Sequence, residues 1–239
     1  MNDIRAEKHE RIIVAHQPDF LPYLGFFDRL ITADVYVVLD HVQYVKGSNS
    51  WMHRDKIKTP KGEQWVTVSV KHAPQETAIR DILLVENDKW KKSNIGLLYQ
   101  NYRKCEYFKE IFPYIENLYS QPYVKFWEFS FASIKMLMEL FGIDIEIVFS
   151  SDIKPQGKNN EMIVDIMKKL NSTTYLSGLG AADYYKPEVY EQAGINVIWQ
   201  DFNHPVYPQQ FGEFIPYLSS IDLLFNCGIE KSRKILRGM

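Results

Sequence analysis

"IIVAHQPDFLPYLGFFDRLITADVYVVLD" runs from Ile12 to Asp40, and its reading decides the fold. Residues 12–15 are apolar and largely β-branched, as in a short buried strand. The run stops at His16 and Gln17, and Pro18 and Pro22 hold the next residues out of regular structure. From Tyr23 to Ala33, Leu24, Phe27, Leu30 and Ile31 recur at helical spacing, and "DVYVVLD" then reads as a second strand ending at Asp40. Strand, helix and strand within roughly thirty residues is the length of a βαβ unit, which implies parallel pairing. The crossover would leave His16 and Asp40 near the carboxyl ends of neighbouring strands, where open α/β sheets hold ligands.

The same rhythm returns late in the chain. "DIEIVFSS", "TTYLSG" and "INVIWQDF" read as strands, "NNEMIVDIMKKL" as a helix capped by Asn159 or Asn160, and "PEVYEQAG" as a helix ending at Gly194. "QWVTVSV" (64–70) alternates with a period of two and suggests a separate, antiparallel pairing. Between Asp88 and Gly142 three aromatic-rich helices are expected, with breaks at Cys105–Tyr107 and around Pro122. The expected fold is α/β: a mainly parallel sheet with flanking helices. Residues 12–228 form one domain, 88–142 a helical layer or insertion within it, and 229–239 a terminal helix or tail.

The chain has 239 residues, of which 46% are hydrophobic and 14% aromatic, ample for a packed core and inconsistent with general disorder. Its 28 basic and 30 acidic residues give a formal charge of −2, so no global nucleic-acid signal exists. Cys105 and Cys227 show no CxxC spacing, which fits free thiols in a reducing compartment. Met1–Arg11 is charged and lacks the apolar core of a signal peptide, and no run is long enough to span a bilayer. A cytoplasmic protein is expected; oligomeric state is not legible.

Polar residues follow apolar runs at four expected strand ends: His16-Gln17, Asp40 to Gln43, Ser177 to Gly180, and Asp201 to His204. Taken singly, a histidine or aspartate there is more often a hydrogen-bonding turn residue. Taken together, four such ends at one sheet edge suggest a ligand site. His16, Asp40 and His204 are the catalytic candidates, because histidine titrates near neutrality and a carboxylate can orient it or bind an amine. Gly178 and Gly180 precede an expected short helix whose free N–H groups suit phosphate or carboxylate, although two glycines in a turn commonly serve backbone angles alone. Arg54, Lys56 and Lys58 alternate in "WMHRDKIKTPKG" and suit phosphate oxygens; a solvated basic edge is the plainer reading. Asp222 and Asn226 share one helical face in "SIDLLFN", a helix expected to close at Gly228. Neither Walker, GxGxxG nor GxSxG patterns occur, and the histidines lack metal-ligand spacing, so no metal is assigned.

The stretch from His16 to Val68, opening "HQPDFLPYLGFFDRL", resembles the start of the WbqC-like family. "TYLSGLGAADYY", "GINVIWQDFNHPVYPQQ" and "PYLSSIDLLFNCG" are similar to that family's later motifs in the same order, so the likeness spans His16 to Gly228. One departure is "VSV" at 68–70, where the family more often has a proline before the last valine. The resemblance implies a bacterial protein of surface-polysaccharide (O-antigen) biosynthesis, with glycine transfer as the role proposed for the family. The acceptor would be the amine of an amino-sugar nucleotide, and activation would require ATP or a preactivated glycyl donor. Gln17, Tyr23, Gly25, Gln43, Arg54, Lys56, Ser177, Gly178, Gly180, Asp183, Asp201, Tyr207, Gln209, Asp222 and Asn226 make up the candidate substrate-binding set.

The opening is also similar in layout to the first strand–loop–helix of HIGH-type nucleotidylyltransferases. Tyr23 and Phe26 stand where those enzymes carry histidines, while Gly25 remains to let a phosphate approach. Nucleotidyl transfer and a non-catalytic sugar-nucleotide or glycan-binding partner are therefore the alternatives to acyl transfer.

Overall fold

The computed structural model describes residues 10–45, 47 and 50–239. Most of the charged amino-terminal stretch, and Lys46, Ser48 and Asn49 of the opening motif, lie outside the described residues. The strands are β1 (Ile12–His16), β2 (Val35–Val38), β3 (Arg54–Thr59), β4 (Gly62–Thr67), β5 (Glu146–Phe149), β6 (Thr174–Ser177) and β7 (Asn196–Trp199). The helices are α1 (Leu24–Thr32), α2 (Lys89–Tyr102), α3 (Phe108–Ser120), α4 (Phe126–Phe141), α5 (Ser150–Ile153), α6 (Asn160–Lys169), α7 (Pro187–Gln192) and α8 (Ile221–Leu236). Two compact units result. The first takes in 10–16, 29–39 and 145–201; the second takes in 17–28, the described part of 40–144, and 202–239.

The first unit is built on a five-stranded sheet in the order β5-β2-β1-β6-β7. Every pairing in it is parallel, with Ala15 opposite Val37 and Ile12 opposite Thr174. The α/β class expected from the sequence is thus the fold observed. A central parallel strand is covered on both faces, which is why β2 is an unbroken apolar run, buried along its length. Helix α6 lays Met162, Ile163, Ile166 and Met167 inward. Its start lies at one of the two asparagines expected to cap it. Asn159 occupies the cap position with φ 51° and no side-chain capping bond. The Asn160 amide instead donates to the Tyr184 carbonyl at 2.9 Å.

The second unit pairs a β3–β4 antiparallel hairpin with α2, α3, α4 and α8. Phe129 centres an aromatic core in which Phe20 stacks on it at 5.4 Å, and Trp90 and Tyr119 meet it edge-on at 5.4 and 5.1 Å. Strand β4 ends at Thr67 rather than running on to Val70, which forms an isolated bridge to Leu84. Gly228 does not close its helix: α8 continues to Leu236 across a break where Gly228 has φ 72° and ψ 171°. The Tyr107 ring fills the space a side chain would need there. No helix among the described residues is long and apolar enough to cross a membrane.

Candidate functional site

In the first unit, strand order reverses at β1: the chain builds β2 and β5 on one side, then β6 and β7 on the other. The carboxyl ends of β1 and β6 therefore mark the topological switch point, where open α/β sheets commonly bind ligands. His16 ends β1 and Ser177 ends β6. The His16 carbonyl accepts from Leu39 N–H at 2.9 Å and from the Tyr36 hydroxyl at 3.3 Å, which fixes the backbone that carries the imidazole. Ser177 is buried and its hydroxyl donates to the Gly178 carbonyl at 3.4 Å; the ionisation of neighbouring Tyr175 is pushed up by burial and eased by the nearby Arg29 charge. Arg29, also buried, lies against Gly178: a Cβ added to that glycine would sit 2.9 Å from Arg29 Nη1. Gly178 is thus small because a guanidinium passes over it.

Ser177 lines a cavity of about 350 Å³, walled from α6, β6, β7, α7 and the 3₁₀ turn Leu179–Tyr184. Its walls carry Tyr175, Tyr184, Tyr185, Tyr190 and Trp199. The Tyr175 and Tyr190 rings are nearly parallel at 6.3 Å, and Tyr185 meets Trp199 edge-on at 5.1 Å. Sequence reading missed these rings, since a tyrosine in a cavity wall and one in a core carry the same local signal. Gly180, Asp183 and Asp201 are exposed, and the turn after Gly178 is a single short 3₁₀ segment in place of an α-helical N-terminus.

The second unit holds the loop from Gln17 to Tyr23. Leu21 adopts φ 46°, and both its main-chain groups are satisfied: its N–H donates to Ser133 Oγ at 3.0 Å and its carbonyl accepts from Ser219 Oγ at 2.7 Å. Over Gly25 lies the Tyr23 ring, 2.4 Å from a would-be Cβ, so that packing contact accounts for the glycine. Tyr23 meets Phe202 edge-on and leans on Tyr217. His204 sits among Phe202, Tyr207, Phe214 and Tyr217 with ring centroids 5.1–6.2 Å away. Its Nδ1 is 2.9 Å from the Pro205 carbonyl, which can only accept, so Nδ1 carries the proton and Nε2 the lone pair. Burial lowers its pKa from 6.5, and Nε2 is covered, with no hydrogen-bond partner among the described residues. That is a neutral imidazole in the tautomer a base requires.

Tyr207, Gln209 and Asp222 are brought together in a closed buried network. Asp222 Oδ1 accepts from the Tyr102 hydroxyl at 2.7 Å; Oδ2 accepts from Tyr207 at 3.0 Å and Gln209 Nε2 at 2.8 Å. Lys58, only 1% exposed, donates to Gln209 Oε1 at 3.1 Å and to the Glu213 carbonyl. Burial raises the Asp222 pKa and lowers that of Lys58, so each charge is held at a cost that the partners offset in part. Asn226 donates to the Asp222 carbonyl and accepts from Cys105 Sγ. This network anchors the irregular segment 202–219 to α2, β3 and α8. Lys58 is therefore an interior residue, whereas Arg54 and Lys56 remain partly exposed. Arg54 stacks over Trp65 at 4.1 Å, and Lys56 pairs with Glu63. Asp40 is buried, with its carbonyl accepting from Arg80 N–H, and the Gln43 amide donates to the Gln75 carbonyl.

The thiol pKa of Cys105 is pushed up to about 12 and that of Cys227 is also raised, both chiefly by burial, so neither is an activated nucleophile. No group of three or more His, Cys, Asp or Glu among the described residues could hold a metal ion. No solved structure matches the chain. The chain is 29% identical over 217 residues to "Uncharacterized protein Rv1507c" of Mycobacterium tuberculosis, an alignment covering 90% of this chain and 93% of that protein. The model of the WbqC-like protein family matches residues 17–234, and with the motifs in family order the chain belongs to the WbqC-like protein family.

Proposed function

We propose that this chain is an enzyme of bacterial surface-polysaccharide biosynthesis that transfers glycine, or a similarly small acyl group, to the amine of a nucleotide-linked amino sugar. The observation that carries the reading is the placement of His16 and Ser177 at the adjoining carboxyl ends of β1 and β6. In the reaction the amine nitrogen attacks the acyl carbon and a C–N bond forms. The bond from that carbon to its leaving group breaks, with the electron pair departing on the leaving group, and the amine's proton passes to a base. The donor is an acyl phosphate or acyl adenylate formed with ATP, or a preactivated glycyl ester. His16 is the proposed base at the sheet edge, and Ser177 a substrate contact. His204 is the next candidate, on the strength of its neutral ring and Nε2 lone pair. Nucleotide-linked sugars and ATP are cytoplasmic pools, and the cytoplasm is the proposed location.

The aromatic cavity favours a second reading, a non-catalytic sugar-nucleotide-binding partner of another enzyme. One experiment separates the two. The protein is incubated with pooled amino-sugar nucleotides, glycine and ATP, and the products are weighed by mass spectrometry. Acyl transfer predicts a nucleotide sugar heavier by one glycyl residue; binding without any mass change supports the second reading.

A further inference from the structure

We infer that the tyrosine-lined cavity of the first unit receives the nucleobase of the nucleotide-linked substrate, not its sugar. The inference rests on the reading above that a nucleotide sugar is the substrate. Its volume, about 350 Å³, is at the lower end of small-molecule pockets and suits one ring system with its immediate attachment. None of the lining residues carries a formal charge at neutral pH: they are aromatic, aliphatic, Ser177 and the two asparagines. A phosphate has no counter-charge there and must lie outside.

The choice between base and sugar follows from how each distributes its polar atoms. A hexose carries hydroxyls around its whole ring, and each loses water on entry and needs a partner. Apart from the phenol hydroxyls and Asn159, the polar side chains of the cavity are already engaged. Both ends of the Asn160 amide are committed, to the Tyr184 carbonyl and the Lys186 N–H. The Ser177 hydroxyl donates to the Gly178 carbonyl at 3.4 Å. A nucleobase instead presents two apolar π faces and confines its polar atoms to one edge. Rings in offset or edge-on arrangements, such as Tyr185 against Trp199, make walls for such a face. The phenol hydroxyls of Tyr185 and Tyr190 can then meet the edge. Ser177 lines the cavity and ends β6, so a base held there lies next to a strand end that borders the switch point.

Ala181 lines the cavity while being exposed, so Ala181→Trp fills the space without replacing a core residue. Isothermal titration of the intact protein with UDP, dTDP, GDP and CDP, and with free glucosamine, is run on parent and variant, alongside thermal melting. The inference predicts that at least one nucleoside diphosphate binds the parent, that glucosamine does not compete with it, and that Ala181→Trp weakens binding at least tenfold with an unchanged melt. Because large substitutions can perturb a turn, Trp199→Phe serves as the second variant, and the same nucleotide should quench parental tryptophan emission but not that of Trp199→Phe. Competition by glucosamine, nucleotide binding indifferent to Ala181→Trp, or no nucleotide binding at all would overturn it. Nucleotide binding through the cavity without glycyl transfer would leave the pocket standing and remove the proposed reaction. Transfer that persists at the parental KM in both variants would do the reverse.

Discussion

The Tyr102 hydroxyl donates a 2.7 Å hydrogen bond to Asp222 Oδ1 across 120 residues of sequence, and neither group reaches solvent. Removing the donor leaves a buried carboxylate short of a partner, which typically costs about 1–3 kcal/mol. Tyr102→Phe is expected to lose that much in urea unfolding. Asp222→Ala also removes the carboxylate whose charge favours the buried Lys58 ammonium, and breaking a buried charge network commonly costs about 3–5 kcal/mol. If the two variants unfold together with the parent, the network does not anchor the 202–219 segment.

The sign of the pH dependence at Asp222 follows from its raised pKa. Its contribution is fully present below the ordinary carboxylate value of 3.8 and is lost as pH rises through the folded value. The stability advantage of the parent over Asp222→Asn should therefore shrink from acid toward neutral pH, as read by unfolding at a series of pH values. An advantage that grows over that interval would mean the carboxylate is stabilised as the anion.

Gly228 has φ 72° and the Tyr107 ring beside it, so a side chain meets both backbone strain and a steric clash. Gly228→Ala is expected to destabilise by about 1–3 kcal/mol. Combining it with Tyr107→Ala should recover the steric part but not the backbone part, and full recovery would show that φ is not the constraint.

Much of the first unit was legible from local pattern. The βαβ opening, the three later strands and the alternation with helices all follow from runs of β-branched residues and from helical spacing, because parallel strands buried on both faces leave a strong local mark. Pairing order does not, since nothing local in β1 says that β6 will be its second neighbour. Strand β3, "RDKIKT", reads as a charged edge because the partners that allow Lys58 inside, Gln209 and Glu213, lie more than 150 residues away. The candidates Tyr207, Gln209 and Asp222 did converge, but on one another. His16 and Ser177 were visible as strand ends; Arg29 beside Gly178 was hidden in an amphipathic helix, and the cavity tyrosines were hidden among many other aromatics.

His204 makes a prediction of opposite sign to Asp222. Its pKa is lowered from 6.5 by burial, so its contribution is complete above 6.5 and lost as pH falls through the folded value. His204→Phe keeps a ring and removes the titration, and its stability should fall less than the parent's on acidification below 6.5. In the parent, nitrogen NMR of the imidazole should show a neutral ring protonated at Nδ1 at neutral pH; a charged ring there would remove His204 from the candidate bases.

The central claim is that the switch point between β1 and β6 does chemistry through His16. The most direct measurement is turnover of His16→Ala with the proposed amino-sugar nucleotide and glycyl donor, taken beside urea unfolding of the same preparation. His16 is only partly buried and ends its strand, so its loss should change stability by about 0.5 kcal/mol, whereas losing a positioned acid–base group lowers the rate by about 10²- to 10⁴-fold. The account predicts a variant that unfolds with the parent and scarcely turns over. A variant that unfolds normally and turns over at the parental rate would contradict it.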